Sequence, residues 1–367
     1  MTLGDRYRIG LIGLTPPSSW AAVAHLPALR ALEDKYEIVG VANSSPESAT
    51  IAARESGIER AFASVEELVS DDDVDIVVVT VKASAHFSLV EAALSAGKHV
   101  FCEWPLGNGL NETRKLADLA RSTGVRTVCG AQASHSPVLQ YARDLVRDGR
   151  LGTVLSTTLV ADAGSWGAVM PQNIAYALDA SNGATMLSVP IGHTLTGVAS
   201  VLGKTCDVQA LVSTRREHCT IAETGEKVAL QAPDQIIVAG TLEGGIPLSL
   251  HYRGGLSAGQ GFRWEILGTD GELEITGPMG PIEMVDLGIR GAFGGESERS
   301  DLTVPQEYQR DLDLEIIPGN VARLYASFYE DLRSGSRTAF SFDDAVEHHK
   351  VLDAIEESSL TGRRVTL

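Results

Sequence analysis

The sequence is short of cysteine: Cys102, Cys129, Cys206 and Cys219 are the only four in 367 residues. They form no Cys-x-x-Cys pair and no zinc-ligand spacing, so neither a disulfide-stapled fold nor a metal site is expected, and a reducing compartment is. Cys102 and Cys129 lie in or beside apolar runs and read as buried thiols. Positive charge is also scarce. The net charge is −18, the opposite of what neutralising phosphates requires, so direct nucleic-acid binding is not expected. The acidity reads as a solubilising surface. No apolar run approaches the roughly 18 residues of a membrane span. Residues 1–6 lead into a strand pattern without a signal peptide. The expectation is a cytoplasmic protein with no membrane partner. There is no internal repeat and no low-complexity segment.

What is present is an α/β pattern. The length suggests two domains, placed at 1–130 and 131–367. Strands are expected at 7–14, 36–42, 74–81, 99–102 and 126–129. Helices are expected between them at 21–33, 46–56, 65–69, 87–96 and 110–122. Short β-branched runs alternating with amphipathic helices predict βαβ units and a doubly wound parallel sheet. Beyond about residue 135 the pattern changes. A helix at 137–148 precedes longer alternating strands at 154–162, 208–213, 235–242, 246–253, 262–268 and 272–276. Glu243-Gly244-Gly245 and Asp270-Gly271 mark hairpin turns. A helix is expected near 184–201, and two more at 320–334 and 342–358. The second domain is thus α+β with a mainly antiparallel sheet. Residues 280–306, rich in glycine and charge, are expected to be a mobile loop or lid.

The first expected strand runs into Gly10-Leu11-Ile12-Gly13-Leu14-Thr15-Pro16-Pro17-Ser18-Ser19-Trp20-Ala21-Ala22. A dinucleotide fingerprint needs glycine where the chain turns and where backbone meets pyrophosphate, before a helix N-terminus. Gly13 can serve the first need. Thr15 stands where the second glycine is usual, and the turn is about four residues longer than normal. Alone this is a weak match, and a strand-turn-helix without ligand explains it equally well. Gly13, Leu14, Thr15 and Trp20 are its candidate cofactor contacts. Asn43 and Ser44 end the second strand, where an acid would bind the ribose of NAD. No carboxylate there repels a 2′-phosphate and no arginine clamps one, so the reading is NAD(P) with a lean to NADP.

Several further motifs are more specific: His25-Leu26-Pro27-Ala28-Leu29, Gly97-Lys98-His99-Val100, Glu103-Trp104-Pro105, Ser136-Pro137, Gly164-x-Trp166, Asn182-Gly183 and Gly192-His193-Thr194. With these the chain resembles the glucose-fructose oxidoreductase / inositol dehydrogenase family along essentially its whole length. Within that family it is similar to the branch of a galactose-regulon repressor, whose type member is not an enzyme. The resemblance implies a Rossmann domain plus an α+β domain whose open-faced sheet makes oligomer contacts, in a homodimer or homotetramer. It implies NAD(P) as cofactor, with Val81, His86, Glu103 and Trp104 among its contacts.

The family moves the substrate proton with a lysine in Glu-Lys-Pro and with an Asp-x-x-x-His pair. Here the lysine position is Trp104, the aspartate position is Val189, and only His193 is kept. Lys82, at the end of the third long strand, is a second candidate base, since ligands bind at the carboxyl ends of parallel strands. A packed histidine and a solvent lysine are the plain alternatives. Candidate substrate contacts are Trp104, Gln132, Trp166, Tyr176, Asp179 and His193, supported by Asn182 and His135. The pair His348-His349 reads as a solvated helix face. The expected function is an NAD(P)-dependent oxidoreductase acting on a sugar, polyol or glycoside by hydride transfer. Two alternatives stay open: a dinucleotide-binding metabolite sensor or transcriptional regulator without turnover, and a lyase or glycosidase that uses tightly held NAD transiently.

Overall fold

A computed structural model describes residues 6–259, 261–310 and 312–367. Residues 1–5, part of the segment that read as lacking a leader, lie outside the described residues. The chain runs β1 (Tyr7–Ile12), α1 (Leu26–Ala31), β2 (Tyr36–Ala42), α2 (Pro46–Ser56), β3 (Arg60–Ala61), α3 (Val65–Ser70), β4 (Ile76–Val79), α4 (His86–Ser95), β5 (His99–Glu103), α5 (Leu110–Thr123) and β6 (Thr127–Gly130). It continues through α6 (Pro137–Arg147), β7 (Val154–Asp162), β8 (Val169–Met170), α7 (Gly192–Leu202), β9 (Thr205–Ser213), β10 (His218–Ile221), β11 (Lys227–Ala229), β12 (Gln235–Leu242), β13 (Ile246–Arg253), β14 (Phe262–Gly268), β15 (Gly271–Gly277), β16 (Gly288–Phe293) and β17 (Ser300–Asp301). It closes with α8 (Ile316–Ser334), α9 (Phe342–Thr361) and β18 (Val365–Thr366).

Two compact units result. The first comprises 1–132 and 312–347, the second 133–311 and 348–367. A single cut after residue 130 is therefore not how the contacts divide the chain. Residues 312–347 pack with the first unit because α8 carries the apolar face that its sheet needs. Val321, Leu324, Tyr325 and Phe328 of α8 join Ile9, Leu11, Leu14, Tyr36 and Phe101 in one buried core.

The first unit holds a six-stranded parallel sheet ordered β3-β2-β1-β4-β5-β6. Every residue of β4 is buried, as expected for a parallel strand covered on both faces. The order reverses between β1 and β4, where doubly wound sheets bind ligands. Local signals set the helices. Ser45 caps α2 in a reciprocal pair with Ser48, Pro46 occupies its first turn, and Gly57 ends it in the left-handed region.

The second unit holds a nine-stranded sheet ordered β17-β16-β15-β14-β7-β13-β12-β9-β18, antiparallel except for β13 against β7, and a small sheet ordered β11-β10-β8. One face of the large sheet buries Leu159, Val238, Leu250, Tyr252 and Trp264. The other exposes Leu211 and Ile237, which sit opposite each other on β9 and β12. Farther along that face Arg263 pairs with Glu274, and Arg299 with Glu265 and Glu272. Residues 280–306 are not a lid. They contain β16 and β17 and bury Ile282, Glu283 and Ile289. Glycine here serves packing: a Cβ on Gly291 would lie 2.9 Å from the Phe293 ring and 3.0 Å from Leu302. Among the described residues no helix is long and apolar enough to cross a membrane.

Candidate functional site

The long turn after β1 is closed by its own hydrogen bonds. The Thr15 N–H donates to Ser19 Oγ at 2.9 Å, and the Ser19 N–H donates back to Thr15 O at 3.0 Å. The Ser19 carbonyl then accepts from Ala22 and Val23, starting the π-helical turn Ala21–His25 that leads into α1. Ser19 thus replaces the second glycine as the organiser of the turn, a role not foreseen in the sequence. Gly13 has φ +100°, and a Cβ on it would meet Val81 Cγ1 at 2.5 Å. Only glycine lets the exit of β1 lie against the exit of β4. Leu14 is buried and Thr15 exposed. Trp20 keeps a buried Nε1–H without a partner among the described residues.

Asn43 is half-buried at the end of β2. Its Nδ2 donates to Leu14 O at 2.8 Å and to Ser48 O at 3.2 Å, while its Oδ1 is buried and unmatched among the described residues. Both neighbours of the nitrogen are carbonyls, so the amide can only be placed this way round. Ser44 is exposed, and Ser45 is committed to its helix cap.

The exits of β4 and β5 are tied together by buried His86. Its Nδ1 lies 2.8 Å from Pro105 O and its Nε2 3.0 Å from Val81 O. Burial pushes its pKa down; a neutral ring donates to one of these two carbonyls and only packs against the other. Lys82 is exposed beside it and precedes the short turn Ala83–Ala85. Glu103 is buried with Oε1 2.9 Å from His25 Nε2, and His25 Nδ1 lies 2.8 Å from the Tyr325 hydroxyl. With its proton on Nε2, His25 donates to the carboxylate and accepts from the tyrosine. This chain of three links the end of β5 to α8. Glu103 is therefore held by protein, whatever else it meets. Trp104 is only 5% exposed and packs edge-on against Phe340, ring centres 6.3 Å apart. Indole fills the place of the family lysine. Gln132, two residues beyond β6, is 1% exposed, and neither atom of its amide has a partner among the described residues.

The Trp20 donor, the Asn43 acceptor and the Gln132 amide all follow carboxyl ends of the parallel strands. Buried polar atoms without partners are rare and call for a ligand or water. A dinucleotide offers what each lacks: phosphate oxygens accept, ribose hydroxyls donate, and a carboxamide does both. The residues present fit such a group.

In the second unit the π-helical turn Leu187–Ile191 runs directly into α7, with half-buried Val189 and buried Pro190 inside it. π-turns of this kind are frequent at functional sites. His193, in the first turn of α7, is 3% exposed with no partner on Nδ1 among the described residues, and its Nε2 lies 4.0 Å from Glu283 Oε1. Burial, aided by nearby His348, pushes its pKa down to about 3. It is neutral at physiological pH. His348 and His349 are not a solvated face: they are 7% and 2% exposed. His348 Nε2 lies 2.9 Å from Gly192 O, at the start of α7. Burial lowers the His349 pKa to about 3. The helix period there places both on α9's inner side, which a polar pair had disguised.

Trp166 is buried at φ +57°, and its Nε1 donates to Ala177 O at 2.9 Å. The indole is held by packing. Tyr176 is half-buried, and burial raises its pKa. The Ser181 hydroxyl, and then the Ser181 N–H donating at 2.9 Å, lower the pKa of exposed Asp179, and Asn182 Nδ2 donates to Tyr176 O at 2.9 Å. His135 is buried 3.1 Å from Ser134 Oγ. The structure brings Trp166, Tyr176, Asp179 and Asn182 together as one polar loop braced on itself.

Comparison with known proteins bears on the family and the fold. Residues 7–131 match the family described as "Oxidoreductase family, NAD-binding Rossmann fold", and residues 137–277 match "Gal80p, C-terminal domain". A dehydrogenase, aclE of Aspergillus oryzae, is 30% identical over 98% of both chains. The chain belongs to the glucose-fructose oxidoreductase / inositol dehydrogenase family. Its NAD-binding Rossmann domain is that family's. A super-repressor mutant of Gal80p from Saccharomyces cerevisiae shares the fold at TM-score 0.90, with 22% identity over 99% of this chain and 98% of that one. Levoglucosan dehydrogenase, solved with NADH and levoglucosan, shares it at TM-score 0.85, with 21% identity over 99% of both. The family thus places both dehydrogenases and a regulator beside this chain.

Proposed function

We propose that the protein is an NAD-dependent oxidoreductase acting on a sugar, polyol or glycoside by hydride transfer, without the family lysine. The observation that carries this reading is His193, kept in the family position as a neutral imidazole with an open Nδ1. A neutral ring can accept the hydrogen bond of a substrate hydroxyl, which an imidazolium cannot. Its basicity is low, so it takes the proton only as charge builds on the oxygen. Lys82, at the exit of β4, is the second candidate for that proton. Bound NAD would supply the hydride acceptor. Trp20, Asn43 and Gln132 would hold it through the atoms they leave unmatched, and Gly13 would allow its close approach. The likeness to a dehydrogenase along the whole chain supports the same reading.

The geometry of Asn43 supports a preference for NAD over the NADP that the sequence favoured. Its donor is spent on two carbonyls, and the atom left over is an acceptor. That matches a ribose hydroxyl and not a 2′-phosphate, which offers only acceptors at neutral pH once ionised. We also propose that the chain forms a cytoplasmic homodimer or homotetramer through the face bearing Leu211 and Ile237, since an open apolar sheet face is stabilised by cover.

A second reading, a dinucleotide-binding metabolite sensor or regulator, is favoured by Trp104 and Val189, which remove two of the family's three proton-handling groups. One experiment separates the two. Purified protein is mixed with NAD or NADP and a panel of sugars, polyols and glycosides, and absorbance of the reduced cofactor is followed. Turnover that falls in His193→Ala supports the enzyme. Firm NAD binding with no turnover across the panel supports the sensor.

A further inference from the structure

At the amino end of the parallel strands, the first unit opens a cavity of about 480 Å³, a size typical of small-molecule sites. Its place separates it from the nucleotide end. Thr127, the first residue of β6, lines it, whereas Gly13, Asn43, Lys82 and Gln132 all follow strand carboxyl ends. Part of its lining is apolar, with Ala120 of α5, Phe328 of α8 and Phe342 at the start of α9. Arg126 and Arg337 also line it.

The acids around this cavity are already committed. Asp331 accepts from the N–H groups of Thr338 and Ala339 and from the hydroxyls of Ser336 and Thr338. Asp343 is held by Arg121. Arg126 gives one N–H to Gly335 O at 3.0 Å and has further donors left. Arg337 is exposed, with no ion pair among the described residues. Among the described residues neither guanidinium is ion-paired to a carboxylate, and both residues line the same cavity as Phe328 and Phe342, in a chain of net charge −18.

We propose that this cavity is a second ligand site, for a small organic anion: a carboxylate or phosphate ester with an apolar body. Arg126 and Arg337 take the anion, as guanidinium forks do. Phe328 and Phe342 take the body. The site is independent of any dinucleotide, so its test does not depend on the reading above.

The test is calorimetric titration of phenyl phosphate into the full chain, alone and with saturating NAD. One-to-one binding is expected in both. Inorganic phosphate and benzyl alcohol, which each supply half of the ligand, should bind far more weakly. Arg337→Glu, a change in an exposed connection, should weaken phenyl phosphate by roughly tenfold or more, the worth of one charge-assisted hydrogen bond. Its melting temperature should match wild type. Amide exchange should slow at 120–127 and 336–343. No binding at millimolar phenyl phosphate overturns the proposal. So does undiminished binding by Arg337→Glu, or displacement of phenyl phosphate by NAD, which would place it at the other end of the sheet. A chain that binds phenyl phosphate but no NAD would leave this site standing and remove the oxidoreductase reading instead.

Discussion

Replacing Asn43 by aspartate puts at the end of β2 the acid that NAD-binding folds usually carry there, and the structure forecasts harm from it. Asn43 Nδ2 donates to Leu14 O at 2.8 Å and to Ser48 O at 3.2 Å. Aspartate offers only oxygen to both. Each net hydrogen bond is worth about 0.5–1.5 kcal/mol, and carbonyls left facing a carboxylate lose more than the bond. The side chain is half-buried, so water recovers part of the loss. A destabilisation of about 1–3 kcal/mol is expected, seen as a lower urea midpoint at unchanged slope. The turn that presents Thr15 would loosen with it. NAD affinity, followed by Trp fluorescence, should not improve. In Asn43→Ala the two donors go without repulsion and the open acceptor goes too, so NAD should bind roughly 2–10-fold more weakly. Wild type should bind NAD more tightly than NADP. An Asn43→Asp protein as stable as wild type, with tighter NAD binding, would refute the amide geometry and everything built on it.

Four further outcomes are expected. Lys82→Ala and His193→Ala should each lower turnover by roughly 10²–10⁴ while NAD affinity changes little; turnover that survives both would remove the proposed proton handling. Trp20→Phe should weaken NAD by roughly 2–10-fold, the worth of one hydrogen bond, without shifting the melting temperature. His193 and His349 have folded-state pKa values of about 3 against an ordinary 6.5. The unfolded chain therefore binds more protons between those values, and stability should fall as pH drops below about 6.5. His349→Gln should flatten the fall of the urea midpoint, and an unchanged pH dependence would contradict burial of that ring. Finally, sedimentation should show an oligomer at micromolar concentration, and Leu211→Arg should shift it toward monomer.

Much of the fold was legible because local chemistry and burial agreed. The limits of α2, β2, β7, β12, β13 and β14 coincide with the expected ones. There alternation of apolar residues, or Ser45 and Gly57 at helix ends, states the boundary outright. β16 was hidden because Gly288 and Gly291 interrupt the alternation, Gly291 leaving room for Phe293 and Leu302. The apolar stripe of α8 announced a buried face, but no periodicity says which sheet it covers. At the site, Gly13 and Asn43 were legible as positions, but which atom of the Asn43 amide stays open was not. The Glu103–His25–Tyr325 chain joins residues up to 300 apart in sequence, beyond any spacing rule. His348 and His349 show the opposite failure: two polar side chains concealed an inward helix face.

The return of α8 to the first sheet bears on how this chain is born. β6 ends at Gly130 and α8 begins at Ile316, so the parallel sheet leaves the ribosome roughly 190 residues before the helix that seals its core. At about 5–20 residues per second that interval is about 10–40 s. Throughout it, Leu11, Leu14, Tyr36 and Phe101 lack the cover that Tyr325 and Phe328 later provide. Translation speed and chaperone supply should therefore govern the yield of folded protein more than the stability of the finished molecule does. A fragment ending near residue 130 would be a lasting copy of that unfinished nascent state.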